Sequence, residues 1–346
     1  MVELNGKKIL VTFLMHLGDL TLTTPFIHAL RKAAPDAHIT MLVDEKLKDV
    51  VLFNPYLDEV VTIDKKGRDN SILSLWACSR HLSKLDFDVL INLHPNERCS
   101  FIDAMTSVKL RTGTTHKIFK WFWDVFTPLD RSMHAADMYL DVLQQLGVQD
   151  LSSNGLEIFP GEEHFLEAEL FWQEQNITDQ DKLIGFNIGS AVPTKRWPPE
   201  RFAEVADIFA AKGYKTVFFG GPMDEEMVAE ATGYMQTRPI IATGHFAIGG
   251  LAAAMRRCCL IITNDSGPMH VAISQKVPIV AMYGPSNPKL YGPYTKDAVI
   301  VTAQPPCQGC ADGMKHSCDD LQCMTRMTVK QVVEAADTML ERGVEK

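Results

Sequence analysis

Short apolar runs rich in β-branched residues alternate with helical stretches twice along the chain, and this alternation is the strongest constraint on the fold. In the first half the runs cover residues 8–14, 38–43, 59–63, 88–93 and 108–112, with helical patterns over 20–33, 45–52 and 72–84. The runs are apolar at successive positions, which is typical of parallel strands covered by helices on both faces. The pattern therefore predicts right-handed βαβ units in a doubly wound sheet.

The alternation weakens near residue 147 and then restarts. Residues 147–161 (GVQDLSSNGLEIFPG) have the composition of a linker. Strands are predicted again over 183–188, 215–219, 259–263 and 278–282, and helices over 134–146, 163–176, 200–211, 224–235, 268–274 and 328–342. We therefore expect an α/β fold of two Rossmann-like domains, 1–160 and 161–346, that face a central cleft. The last helix could also pack back on the first domain.

Composition narrows the class of protein. The 346 residues include 43 acidic and 34 basic side chains, a net charge of −9, which argues against a general nucleic-acid binder. No apolar run approaches the roughly 18 residues of a membrane span. The apolar run 9–15 is followed by His16 and Asp19 and by no small-residue cleavage site, which argues against a signal peptide. We therefore expect a cytoplasmic protein with mostly reduced thiols.

The turn after the first strand contains Met15-His16-Leu17-Gly18-Asp19. A glycine in a short strand-to-helix turn lets the backbone approach a ligand, and Asp19 would lie at the start of the helix. Asp19 is either a helix N-cap or a general base that takes a proton from an incoming hydroxyl. The turn lacks the Gly-x-Gly-x-x-Gly spacing of dinucleotide sites, which disfavours a nicotinamide oxidoreductase.

A second turn, 263–272, reads TNDSGPMHVA and follows a buried strand. Pro268 suits the first turn of a helix. The N–H groups of Ser266, Gly267 and Met269, together with the helix dipole, would form a diphosphate site to which His270 adds a donor. The alternative is a helix that is merely capped by Asp265 or Ser266.

Two further turns follow strands of the second half. Residues 189–198 (GSAVPTKRWP) put Lys195 where it could neutralise charge on a leaving phosphate; the alternative is a solvated Lys-Arg pair with Trp197 as a lid. In 219–226 (FGGPMDEE), Asp224 and Glu225 either cap a helix or hold ribose hydroxyls.

Taken in order, HLGDLTLTTP (16–25), Lys195-x-Trp197-Pro198, NDSGPMHVA (264–272) and PIVAMYGPSNP (278–288) resemble glycosyltransferase family 9, the ADP-heptose:lipopolysaccharide heptosyltransferases. The resemblance implies a GT-B fold, an inverting mechanism and no required metal ion or other cofactor. It also implies that the acceptor binds the N-terminal domain and the nucleotide-sugar the C-terminal one.

The resemblance assigns roles to individual residues. Asp19 matches the family's proposed catalytic base, and Lys195 matches the lysine near the donor phosphates. The implied nucleotide-sugar site comprises Ser190, Thr194, Lys195, Asp224, Glu225, Asp265, Ser266, Gly267, Met269 and His270. For the acceptor, we assign His16 and Gly18 beside Asp19 and, from their positive charge, Arg98, Arg111, Lys117 and Lys120.

Several of these acceptor residues belong to a basic stretch, 98–120, which has five basic side chains and one acidic one. An anionic lipid A-core acceptor would be attracted there, although a solvated face is the alternative. The aromatic residues over 119–126 are either core or rest on the inner leaflet of the membrane.

Half of the eight cysteines lie near the C-terminus: Cys307, Cys310, Cys318 and Cys323. They indicate a reduced or disulfide-clipped loop, with a structural metal site or a redox role as alternatives. The Asp86-Phe87-Asp88 sequence resembles a metal-binding Asp-x-Asp, but the start of a buried strand explains it more simply.

The resemblance therefore implies an inverting transfer of heptose from ADP-heptose to a lipopolysaccharide inner-core hydroxyl. The alternatives are a GT-B enzyme that uses another nucleotide-sugar, as transferase or epimerase, and a non-catalytic nucleotide-binding protein.

Overall fold

The structure is a computed structural model that describes residues 2–304, 307, 310, 318 and 320–344. The chain divides into two compact units, Met1–Phe159 and Pro160–Lys346. Each unit contains a parallel sheet flanked by helices, as the strand–helix alternation predicts.

The first unit is built from short strands and helices that alternate along the chain. The strands are β1 (Lys8–Thr12), β2 (His38–Asp44), β3 (Glu59–Ile63), β4 (Phe87–Asn92), β5 (Val108–Gly113) and β6 (Val125–Phe126). The helices are α1 (Leu17–Thr21), α2 (Thr24–Ala33), α3 (Ile72–Ser83), α4 (Glu97–Met105) and α5 (Ala135–Gln145). Two 3₁₀ helices, Glu45–Val50 and Lys117–Phe122, follow β2 and β5.

The second unit repeats this plan. Its strands are β7 (Leu183–Asn187), β8 (Lys215–Phe219), β9 (Ile240–Ile241), β10 (Cys258–Asn264), β11 (Ile279–Met282) and β12 (Ala298–Val301). Its helices are α6 (Glu162–Glu174), α7 (Pro199–Ala211), α8 (Glu225–Tyr234), α9 (Ile248–Met255), α10 (Gly267–Ser274), α11 (Pro288–Tyr291), α12 (Gln322–Thr325) and α13 (Val329–Val344). Short 3₁₀ helices, Pro193–Lys195 and Pro222–Asp224, follow β7 and β8.

Both sheets have the same topology in the described residues. The strand orders are β3-β2-β1-β4-β5-β6 and β9-β8-β7-β10-β11-β12, all parallel. This is the Rossmann order, in which the direction of strand addition reverses once. The reversal lies between β1 and β4 in one sheet and between β7 and β10 in the other. Ligands bind outside the carboxyl ends of strands at such points, so the turns after these four strands are the places to look for a site.

Burial in the core explains why the strands are continuous apolar runs in the sequence. Four of the five residues of β1 and all five of β7 are buried. In the second unit Trp197 is fully buried beside Phe202, and its Nε1 donates to the Met327 carbonyl at 3.1 Å. The last helix adds Val332 and Ala336 to this same core.

The predicted helix over 20–33 is two helices in the structure. α1 ends at Thr21, and α2 begins at Thr24 with Pro25 in its first turn. Proline in a helix interior removes a hydrogen bond and clashes with the carbonyl four residues earlier, whereas the first turn tolerates it. The predicted helix over 45–52 is instead the 3₁₀ helix Glu45–Val50.

A carboxylic acid is buried beneath the end of β1. Asp103 of α4 accepts a hydrogen bond from Thr12 Oγ1 at 2.9 Å, and its Oδ1 has no partner among the described residues. Burial raises the pKa of Asp103 to about 8, although the Thr12 and Cys99 bonds and the charge of Arg111 oppose this. Asp103 is therefore largely protonated at pH 7.

We expect the Asp103→Asn variant to gain stability relative to the wild type as the pH rises. Because the pKa of Asp103 is raised in the folded wild type, its contribution to stability is complete below about pH 4 and is lost as the pH rises through 8. The difference in free energy of unfolding should therefore grow by up to about 1.4 kcal/mol per pH unit. Urea unfolding at pH 5, 7 and 9 measures it.

Asp88→Asn is the control of opposite sign. Hydrogen bonds from Lys109 and from the backbone N–H of Lys8 lower the pKa of Asp88. Its contribution to stability is therefore present at neutral pH and is lost in acid. A pH-independent effect of Asp103→Asn would show that Asp103 is ionised in the folded protein.

Candidate functional site

Asp19 lies in α1, directly after β1. His16 occupies the N-cap position of this helix without a side-chain capping bond, and Asp19 is the third helical residue. The interpretation of Asp19 as an N-cap is therefore wrong. Its side chain is partly exposed in the first turn, where the helix dipole favours a negative charge.

Lys65, two residues beyond β3, holds the loop that precedes Asp19. Its Nζ donates to the carbonyls of Leu14 and Met15 at 2.8 and 2.9 Å and lies 3.1 Å from Asp44 Oδ2. The side chains of Lys65 and Asp44 are only 12% and 7% exposed. Three bonds to one buried ammonium fix the backbone just before His16. Sequence reasoning missed Lys65, although a cation directly after a strand was a signal for it.

His94 follows β4 at the same edge of the sheet. Burial lowers the pKa of His94 to about 4, and the nearby charges of Lys65 and His16 act in the same direction. Its ring packs against Phe13 with centroids 5.7 Å apart. A neutral imidazole at pH 7 adds no positive charge at this edge of the sheet.

The predicted acceptor residues fall into separate places. His16 is exposed and Gly18 lies in α1, both beside Asp19. Arg98, at the start of α4, braces the Lys65 segment by donating to the Lys65 carbonyl and to Asn70 Oδ1.

Three other predicted acceptor residues belong to β5 and the segment that follows it. Lys117 and Lys120 are exposed on the 3₁₀ helix after β5. The structure does not place Arg111 with them, because its guanidinium donates to the Asp103 and Thr106 carbonyls at the end of α4.

In the second unit, Lys195 follows β7 and Asp265 follows β10. Lys195 Nζ lies 2.7 Å from Asp265 Oδ2, with side chains 13% and 6% exposed. Asp265 also accepts a hydrogen bond from Ser286 Oγ. The alternative of a solvated Lys-Arg pair with Trp197 as a lid is wrong, because Lys195 is paired and mostly buried and Trp197 belongs to the core.

The predicted diphosphate turn is the start of α10. Ser266 is at its N-cap position without a capping bond, and Ser266 Oγ accepts from Asn187 Nδ2 at 2.9 Å. The first N–H groups of a helix have no intrahelical partners, so those of Ser266 and Gly267 suit an anion. The N–H of Met269 does not, because it donates to the Ser266 carbonyl at 3.2 Å. His270 is buried one turn further on.

The remaining predicted nucleotide-sugar residues surround the β7 turn or follow β8. Ser190 and Thr194 are buried, and Ser190 Oγ donates to the Asp265 carbonyl at 3.4 Å.

Asp224 and Glu225 follow β8. Asp224 caps Gly221 N–H at 2.9 Å, and its carboxylate lies so close to Gly189 that a Cβ there would be 2.1 Å from it. Asp224 thus caps the short 3₁₀ helix Pro222–Asp224, whereas its side chain makes no capping bond to α8. A ribose contact of Asp224 or Glu225 stays a prediction. The exposed Glu225 lies beside Gly244.

The C-terminal cysteines lie in a segment of which 305–306, 308–309, 311–317 and 319 fall outside the described residues. Cys307, Cys318 and Cys323 form no disulfide in the described part of the chain. Across 2–304 and the other described positions, no group of three or more His, Cys, Asp or Glu side chains could hold a metal ion.

No helix in the described part of the chain is both long and apolar enough to cross a bilayer.

We expect Lys65→Met to loosen the Asp19 loop. Each lost bond to the buried ammonium is worth roughly 1.5–3 kcal/mol, so amide hydrogen exchange over residues 16–20 should accelerate at least about tenfold. Lys66→Met, a change of the neighbouring exposed lysine, is the matched control. Unchanged exchange in Lys65→Met would mean that the loop is held by other contacts.

We expect Lys195→Met to lower the free energy of unfolding by about 3 kcal/mol, since Asp265 is left buried without its cation. The Lys195→Met/Asp265→Leu double variant should lose less than the sum of the single variants. Lys212→Met breaks an exposed pair with Asp337 and should lose less than about 1 kcal/mol. Urea unfolding of the wild type, these three variants and Asp265→Leu measures the losses. Equal losses in Lys195→Met and Lys212→Met would contradict the effect of burial.

Comparisons with known proteins agree with this architecture. The sequence profile described as "Glycosyltransferase family 9 (heptosyltransferase)" matches residues 75–318. Lipopolysaccharide heptosyltransferase 3 of Escherichia coli K12 is 24% identical over 297 residues, which cover 82% of this chain and 84% of that protein.

Solved structures extend the match to nearly the whole chain. The crystal structure of a glycosyl transferase family 9 protein from Veillonella parvula is 52% identical, with a TM-score of 0.94 and 99% of each chain covered. The E. coli heptosyltransferase WaaC with ADP is 17% identical, with a TM-score of 0.71 over 97% of this chain and 99% of that one. The expected GT-B fold class is thereby confirmed, and the chain belongs to glycosyltransferase family 9 and is a glycosyltransferase.

Proposed function

We propose that this glycosyltransferase moves a heptose from ADP-heptose to a hydroxyl of a lipopolysaccharide inner core, with inversion at the anomeric carbon. The E. coli relative is a lipopolysaccharide heptosyltransferase, and the similar WaaC structure contains ADP. The observation that carries the proposal is the partly exposed Asp19 carboxylate in the first turn of α1, directly after a loop that the buried Lys65 holds in place. A rigidly held carboxylate is what a single general base requires.

The proposed chemistry is one in-line displacement. The acceptor oxygen forms a bond to the anomeric carbon as its proton passes to the Asp19 carboxylate. The bond from that carbon to the diphosphate oxygen breaks, and ADP leaves with the electron pair. This step needs one base and a stabilised leaving group on the protein.

The charge that develops on ADP would be met in the second unit. The N–H groups of Ser266 and Gly267, with the dipole of α10, favour an anion. A lysine ammonium has three donors, so Lys195 can bond Asp265 and still donate to a phosphate oxygen. Asp265 would orient Lys195, and Asp224 or Glu225 would contact the ribose. The proposal requires no metal ion or other cofactor.

The acceptor would bind at the carboxyl edge of the first sheet. His16 and Gly18 adjoin Asp19, and the exposed Lys117 and Lys120 offer positive charge to an anionic lipid A-core. Such an acceptor is anchored in lipid, so we place the reaction at the cytoplasmic face of the inner membrane.

We expect Asp19→Asn to reduce the kcat of heptose transfer at least about 100-fold, which is the usual contribution of a general base. Binding of ADP, measured by calorimetry, should stay within about twofold of the wild type, because the proposed nucleotide site lies in the other unit. Asp36→Asn, a change at an exposed carboxylate before β2, is the control and should keep full activity. Wild-type kcat in Asp19→Asn would exclude Asp19 as the base.

The donor is tested in the same assay. The wild type is mixed with ADP-heptose or with UDP-sugars, with and without EDTA, and the released nucleotide is identified. Release of ADP only when a core oligosaccharide is present supports the proposal. Release of UDP indicates another donor, and nucleotide binding without turnover on any acceptor indicates a non-catalytic protein.

A further inference from the structure

Two short segments of the first unit expose an unusual concentration of large apolar side chains. The start of α3 exposes Leu73 by 78% and Ile72 by 73%, and the 3₁₀ helix after β5 exposes Trp121 by 94%. Trp76, Ile118 and Phe122 are exposed in the same two segments. Single exposed apolar residues are ordinary on a protein surface, whereas a group of them indicates an interaction site. We call these six residues the docking face.

Chain topology puts both segments on one side of the sheet. The connections β3–β4, β4–β5 and β5–β6 all run across the sheet in the same direction. Right-handed crossovers therefore put α3, α4 and the 3₁₀ helix on the same face.

Contacts agree with this placement. α4 packs against both segments, with Leu75 of α3 and Ile102 of α4 in one core cluster. The rings of Phe101 on α4 and Phe119 on the 3₁₀ helix are 6.3 Å apart.

The docking face also lies at the carboxyl edge of the sheet. The start of α3 comes shortly after the end of β3, and the 3₁₀ helix comes shortly after the end of β5. The Asp19 loop follows the end of β1 at this edge. A surface that docks here would bring its own attached groups close to Asp19.

Positive charge is interleaved with the apolar residues. The exposed Lys117 directly precedes Ile118, and the exposed Lys120 directly precedes Trp121. Lys120 Nζ lies 4.4 Å from the Phe126 ring centroid. Lys66 is exposed in the loop before α3. Lysines are depleted in the core of protein interfaces, whereas aromatic and aliphatic residues mixed with lysines are typical of segments that rest in the headgroup region of a bilayer.

We propose that the docking face binds the surface of an anionic lipid bilayer. The apolar side chains would enter the headgroup boundary and the lysines would contact lipid phosphates. The inference rests on the proposed function for its purpose, since it presents Asp19 to an acceptor anchored in the same bilayer. Binding itself needs neither donor nor acceptor and can be measured alone.

The test is co-sedimentation of the full chain with vesicles of phosphatidylcholine, with and without 30% phosphatidylglycerol. We expect binding only to the anionic vesicles. Leu73→Ser and Trp121→Ser should each weaken partitioning about tenfold, and Lys117→Gln about fivefold. Leu166→Ser on α6 and Lys330→Gln on α13 are matched controls, because both are exposed on the second unit.

Several results would overturn the inference. These are no binding to anionic vesicles, equal losses in the controls, or docking-face variants that bind vesicles normally but dissociate a dimer in light scattering. The last result would assign the face to a second copy of the chain. Transfer to a water-soluble core oligosaccharide should be unchanged in Leu73→Ser. Loss of vesicle binding together with normal soluble activity therefore separates this inference from the proposed function.

Discussion

The burial of parallel strands under helices on both faces is the constraint on which the rest of this structure depends. The strands of each sheet are apolar almost throughout, as in β7, where every residue is buried. Polar side chains that could contact a ligand then lie where the strands end. Asp19, Lys65 and His94 follow strands of the first sheet, and Lys195 and Asp265 follow strands of the second. The reversal points of the strand order decide which of these ends lie together.

Both units use a buried ammonium–carboxylate pair at that edge, although the two pairs come from different strands. In the first unit, Lys65 follows β3 and Asp44 is the last residue of β2. In the second unit, Lys195 follows β7 and Asp265 follows β10. Removing one partner of a buried pair leaves a charge that is costly to bury, so each pair restricts its turn to one arrangement. The first pair fixes backbone carbonyls before His16. The second orients the lysine itself.

The sequence predicts the fold well wherever apolar periodicity is undisturbed, and less well elsewhere. The central strands were found within two residues of their ends, but α4 was missed because its buried side includes polar Ser100 and Asp103. The short α9, with two glycines and no polar face, was missed too. Turn residues such as Lys195 could be located from strand ends. The residue that Lys195 contacts could not be predicted, because its partner Asp265 is 70 positions away in sequence. The charge of Arg111 suggested a contact with an acceptor, but the sequence did not indicate that its donors satisfy carbonyls at a helix end.

The distribution of charge limits how an anionic donor could be recognised. Residues 151–346 contain 24 acidic and 17 basic side chains, so the second unit repels anions at long range. Its best-placed cation, Lys195, is already neutralised by Asp265. If the proposed donor binds here, its attraction must therefore arise within a few ångströms, from N–H groups at the start of α10. Such contacts act only after the ligand has entered the turn, and they favour phosphate oxygens in one geometry over a diffuse negative charge. An acidic protein can in this way bind a nucleotide without also attracting nucleic acid.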